Sequence, residues 1–171
     1  MKQFAAALPL AAALAACSPA QKAVGAEPAP AEAATVTAPS DRMMSPDAYV
    51  QGLYVSQPAW VTPEAVRALF EPALADALIK DRSNPDEVGS VNFSFWCGCQ
   101  DGDPTGVTTT SRDIAGGHEV TARFTLFDKP KTIVYRLSST DAGYRIADVS
   151  EPARGGEDGW SLRGVLGLKS L

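Results

Sequence analysis

The sequence predicts an α+β domain, with helices first and an antiparallel meander of about four strands after them. Three observations carry this. Between residues 46 and 80 apolar side chains recur every three or four positions. From residue 107 onward they alternate, and the spacers between the alternating runs are short enough to demand hairpins. All three Trp, all four Tyr and five of the six Phe follow Met43, so the core belongs to residues 44–171, enough for one compact domain.

Ser45-Pro46-Asp47 reads as a helix start, with a capping hydroxyl, proline at the first helical position and an acid in the first turn. Tyr49, Val50, Leu53 and Tyr54 form its apolar stripe. Thr62-Pro63-Glu64 starts a second stripe through Val66, Leu69, Phe70, Ala73, Leu74, Ala77 and Leu78. Pro72 interrupts that stripe, so a kink or two abutting helices are expected, ending around Lys80. A β-branched run over residues 107–114 precedes a turn at Gly116-Gly117. Val120, Ala122, Phe124 and Leu126 then alternate with polar residues. Lys129-Pro130 is expected to turn the chain into Ile133, Tyr135 and Leu137, and Asp141-Ala142-Gly143 into a last strand over 143–149. Leu162, Val165, Leu166 and Leu168 suggest a short C-terminal helix. No internal repeat is present.

The first 43 residues differ in kind. Met1-Lys2-Gln3 is a short positive start, and residues 4–16 are an apolar run too short to span a bilayer but suited to an export signal. The run ends at Leu14-Ala15-Ala16-Cys17, which resembles the lipobox of bacterial lipoproteins. The resemblance implies that residues 1–16 are removed and that Cys17 carries several acyl chains, a stable anchor where one chain would be marginal. Ser18, rather than Asp, follows the cysteine, which in such proteins implies the outer membrane, facing the periplasm. Of the 26 residues at 18–43, 12 are Ala or Pro and none is aromatic. Residues 17–43 therefore read as a disordered tether bearing the lipid.

Composition removes several functions. The chain has 171 residues, with 15 Lys+Arg against 20 Asp+Glu and a net charge of −5. That balance argues against a nucleic-acid partner, which requires a basic face. One His and three Cys exclude a His-rich metal centre, and no cofactor or metal is expected.

The order of helices, a Cys- and Asp-bearing loop, a curled meander and the strand Gly143-Tyr144-Arg145-Ile146-Ala147-Asp148-Val149 resembles the cone-shaped nuclear-transport-factor-like (cystatin-like) fold. Within it, the chain is similar to a family of bacterial envelope lipoproteins of unassigned function, through that strand, Cys99-Gln100-Asp101 and Ser161-Leu162-Arg163. The resemblance implies a cone over roughly residues 46–170. It brings no catalytic residues, and the fold alone assigns no activity.

The candidate sites are few. Cys97 and Cys99 can be bridged when Gly98 relaxes the turn, as the oxidising periplasm favours; buried free thiols and a redox or metal role are the alternatives. His118 follows a turn and is expected at an exposed hairpin tip. Asp101-Gly102-Asp103 superficially resembles the start of a calcium loop, but the twelfth position is Arg112, so an EF-hand is excluded. A weaker cation site with Asp86 or Glu87, or a solvated turn, remains. Asp148 is expected to face inward with Tyr144 and Ile146, as a general base or as the partner of Arg123 or Arg136. Tyr49, Tyr54, Trp96 and Trp160 read as core or pocket lining. There is no phosphate loop or nucleophile elbow, and a Ser-His-Asp triad would have to rely on His118. The expected function is a non-catalytic binding module for an envelope protein, with the surface around Trp96 to Asp103 as its contact. The alternatives are a ligand-binding or enzymatic cone (hydrolase or isomerase) using Asp148, and a periplasmic inhibitor or immunity-type protein.

Overall fold

Proline opens each of the three main helices. The structure, a computed structural model, describes residues 44–84, 86–156 and 158–171. The expected signal peptide at 1–16, Cys17 and the tether at 17–43 lie outside the described residues. Helix α1 is Pro46–Ser56, α2 is Pro63–Leu69 and α3 is Pro72–Asp81, each with its proline in the first turn, where the missing N–H costs nothing. Thr62 caps α2 by accepting from the Ala65 N–H at 3.2 Å. Ser45, expected to cap through its hydroxyl, contributes only its carbonyl, to the Tyr49 N–H at 2.9 Å. Pro72 divides the second stripe into two helices. The extended pair Phe70-Glu71 between them is used: Phe70 forms a parallel bridge with Ile146, whose carbonyl accepts the Glu71 N–H at 2.9 Å.

The meander has five strands rather than four: β1 Thr105–Ile114, β2 Gly117–Leu126, β3 Lys129–Thr140, β4 Gly143–Glu151 and the two-residue β5 Trp160–Ser161. They lie in sequence order in one antiparallel, unclosed sheet. A one-turn helix, α4 Leu162–Val165, follows β5. The β2–β3 turn is Phe127-Asp128, with Leu126 paired to Lys129, so Lys129 and Pro130 belong to β3 instead of turning the chain. Both turn residues have positive φ, 49° and 61°. A two-residue hairpin needs that geometry to match strand twist, and Asn-Gly supplies it with far less strain than Phe-Asp.

One face of the sheet carries Val120, Ala122, Phe124, Leu126, Ile133, Tyr135, Leu137, Ile146 and Val149 into the core. From the helices come Val50, Leu53, Val66, Phe70, Leu74 and Leu78. The opposite face is polar. A row of alternating charge crosses it: Arg112, Glu119, Arg136 and Asp148 stand in register on β1 to β4. Arg112 Nε donates to Glu119 Oε1 at 2.8 Å. Opposite charges directly across strands reinforce the pairing.

A bulge decides where Asp148 points. Arg136 pairs with Asp148 and Leu137 with Ile146, leaving Ala147 as the extra residue. The strand changes phase there, so Val149 returns to the core. Asp148 joins Arg136 on the outer face, which corrects the expectation that it shares a side with Tyr144 and Ile146.

Candidate functional site

The segment between α3 and β1 fills the helix-covered face from within. Ser94 and Cys99 exchange backbone bonds at 2.7 and 3.2 Å, closing a tight loop that buries Phe95, Trp96 and Cys97. Trp96 lies nearly parallel to Tyr135 at 6.4 Å, and Phe95 packs on Phe70 and Trp60. The Tyr135 hydroxyl donates to the Tyr54 hydroxyl at 3.0 Å, which donates to the Trp96 carbonyl at 2.8 Å. Burial raises both phenols above the usual tyrosine range. Among the described residues no buried side-chain polar atom lacks a partner. Tyr54 and Trp96, both candidates for a pocket, are therefore members of this packed interior. The relay predicts an asymmetry: Tyr54→Phe strands a donor and an acceptor and costs about 2–3 kcal/mol, whereas Tyr135→Phe removes the terminal donor and costs about 1 kcal/mol. Urea unfolding of the two variants measures the difference.

Cys97 and Cys99 lie at disulfide distance, with Cα atoms 5.1 Å apart. Gly98 between them has φ +59°, and a Cβ there would fall 2.6 Å from Glu151 Oε2 and 3.1 Å from the Trp160 ring. Only glycine lets the bridged loop lie this close to Glu151. That carboxylate accepts from Lys131 Nζ at 2.7 and 2.9 Å and from Trp160 Nε1 at 3.1 Å. Around this knot lies an open cleft of about 570 Å³, lined also by Lys129, Arg154 and Asp158. Arg154 Nη1 donates to the Pro130 carbonyl at 2.8 Å. The cleft sits where β3 and β5 begin and β4 ends, at one rim of the helix-covered face.

The other expected residues are dispersed. Asp101 and Asp103 are exposed beside this rim, on a loop where a Cβ at Gly102 would fall 2.6 Å from Phe127 Cζ. They do not join Asp86 or Glu87, and among the described residues no group of three or more His, Cys, Asp or Glu is placed to hold a metal. Arg123 is exposed on the outer face, opposite Thr108 and Thr132, two rows from Asp148. Asp148 itself is 9 % exposed, and its Oδ1 accepts from the Val149 N–H at 2.9 Å and the Arg163 N–H at 3.1 Å. Burial raises its carboxyl above the ordinary Asp range, against these hydrogen bonds and the charges of Arg163 and Arg136, which lower it.

At the opposite rim, His118 is half-buried rather than exposed. Its ring meets Tyr144 edge-on at 5.5 Å, because β2 begins at Gly117 and carries His118 onto the helix-covered face. Nδ1 lies 2.8 Å from Asp113 Oδ1, its cross-strand partner, and Nε2 lies 3.4 Å from Ser139 Oγ. No sequence spacing marks this trio, since strand register alone assembles it. The Asp113 side chain is 92 % exposed, so water screens its hold on the ring, and the serine contact is long. The trio fastens three strand ends together.

No protein-family model, curated protein or solved structure matches the chain. Among the described residues no helix is long and apolar enough to cross a membrane.

Proposed function

We propose that this chain is a lipid-anchored protein of the bacterial outer membrane, held through Cys17, whose cone-like α+β domain binds an envelope protein without catalysing a reaction. Supporting the anchor is the Leu-Ala-Ala-Cys sequence that closes an export-type apolar run. Helices on one face of an antiparallel sheet agree with the cone. The docking surface is the rim bearing the disulfide loop and the β2–β3 turn.

Phe127 carries this reading. The residue is 69 % exposed, and its backbone occupies the left-handed region, which costs a bulky L-residue about 1–2 kcal/mol. Folding alone gains little from such a residue there, whereas a partner gains an aromatic anchor of the kind that dominates interfaces. The double variant Phe127→Asn, Asp128→Gly is accordingly expected to raise stability by about 1–2 kcal/mol, seen as a higher melting temperature. In cells, crosslinking of the lipidated wild type should recover one abundant envelope partner that a tether-only control lacks. The stabilised variant should lose it. A partner retained at full yield by that variant moves the docking surface elsewhere, and recovery of nothing beyond the control ends the binding reading.

A further inference from the structure

The cleft beside the disulfide loop already contains a bound carboxylate, and it is the protein's own. Lys131 offers its ammonium to both oxygens of Glu151, and the Trp160 indole N–H completes the set. These donors converge from β3 and β5 on one carboxylate, the arrangement by which proteins hold an oxyanion. The pair is only partly solvated, with side chains 26 % and 20 % exposed. Two further cations line the same cleft: Lys129, and Arg154, of whose five N–H donors the Pro130 carbonyl takes one. Three positive side chains thus face two acids, Glu151 and Asp158, in a molecule of net charge −5. The volume, about 570 Å³, suits a small molecule or the end of a chain.

Taking this rim as the docking surface, we propose that the cleft is an oxyanion site in which Glu151 is a built-in competitor. A ligand with at least two anionic oxygens, carboxylate or phosphate, displaces Glu151 from Lys131 and Trp160. Lys129 and Arg154 hold its remaining negative charge, and the exposed part of the indole forms one wall. Glu151, once displaced, turns toward solvent on its own flexible side chain. Gly98 matters here too, because its bare backbone leaves the carboxylate position open to an oxygen.

The test uses the full-length chain purified in detergent, titrated by calorimetry with citrate, with inorganic phosphate and with uncharged glucose. Saturable binding of citrate or phosphate, with none of glucose, is expected, and the stronger of the two identifies the oxyanion. Lys129→Gln with Arg154→Gln, both at exposed positions, should weaken binding at least tenfold. Glu151→Gln should tighten it about tenfold, because the internal competitor loses its charge. Weaker binding in Glu151→Gln overturns the competitor role. Binding indifferent to Lys129 and Arg154 places the anion elsewhere, and no saturable binding in wild type or Glu151→Gln overturns the site. No partner protein is needed, so this inference and the docking reading fail separately.

Discussion

Asp148→Ala is expected to destabilise the domain by about 3 kcal/mol, read as a lower urea midpoint at unchanged slope. The loss comes from two buried N–H groups, those of Val149 and Arg163, which share Asp148 Oδ1. One lies beside the bulge in β4 and the other in the first turn of α4. Asp148→Asn keeps an acceptor oxygen and should cost only about 1 kcal/mol. The pH dependence separates charge from acceptor. Burial raises the native carboxyl above its unfolded value, so the folded state favours the protonated acid. That contribution is complete below the unfolded pKa, about 4, and is lost as pH rises through the raised native value. Asp148→Asn should flatten this part of the stability profile. If Asn proves as damaging as Ala, the charge attraction of Arg163 and Arg136 outweighs the two backbone bonds.

The second large effect concerns Gly117→Ala, expected to cost at least about 3 kcal/mol or to prevent folding. A Cβ at Gly117 would overlap the carbonyl oxygen of Leu137 and crowd the Ser138 Cα on β3. The obstacle is backbone inside the sheet, so no side-chain rotation relieves it. Gly116→Ala is the control: its added carbon meets nothing within 4 Å, leaving only the strain of φ +84° and a cost of about 1 kcal/mol. Circular dichroism melts of the two variants decide the matter. Equal losses would mean that turn strain, not the close approach of β3, accounts for Gly117.

These glycines show what the sequence discloses and what it hides. The pair was legible as a turn, but the turn is Ala115-Gly116, and Gly117 is needed inside β2 for a reason that lies 20 residues away on β3. Local signals were reliable where local physics decides. The prolines marked all three helix starts and the break after Phe70-Glu71, and alternation marked β2 and β3. They failed where register decides. A bulge has no sequence mark at Ala147, yet it turns Asp148 from the core to the outer face. Phe127 has none of the usual turn chemistry and masks the turn that Asp128 completes, whereas the adjacent Lys129-Pro130 carries a stronger turn signal. The candidate cleft was hidden for the same reason. Cys97 and Cys99 pointed to its neighbourhood, but Lys131, Glu151 and Trp160 come together only once β3, β4 and β5 are aligned.

The way α1 is fastened has a mechanical consequence. Besides the buried Tyr54 hydroxyl, which joins Trp96 and Tyr135, its polar ties run to β1: Thr109 Oγ1 donates to the Asp47 carbonyl at 3.2 Å, Ser111 Oγ to Asp47 Oδ1 at 3.1 Å, and Gln51 Nε2 to the Val107 carbonyl at 3.3 Å. Strand β1 is the open edge of the sheet, whereas β4 is gripped on its far side by Phe70-Glu71 and β5. A pull entering the domain from the residues before Ser45 therefore loads α1 and the open edge first. The oxyanion cleft, built from β3, β4 and β5, lies on the side that such a load reaches last. Under the proposed anchoring, the domain yields at its leash while the cleft stays shut.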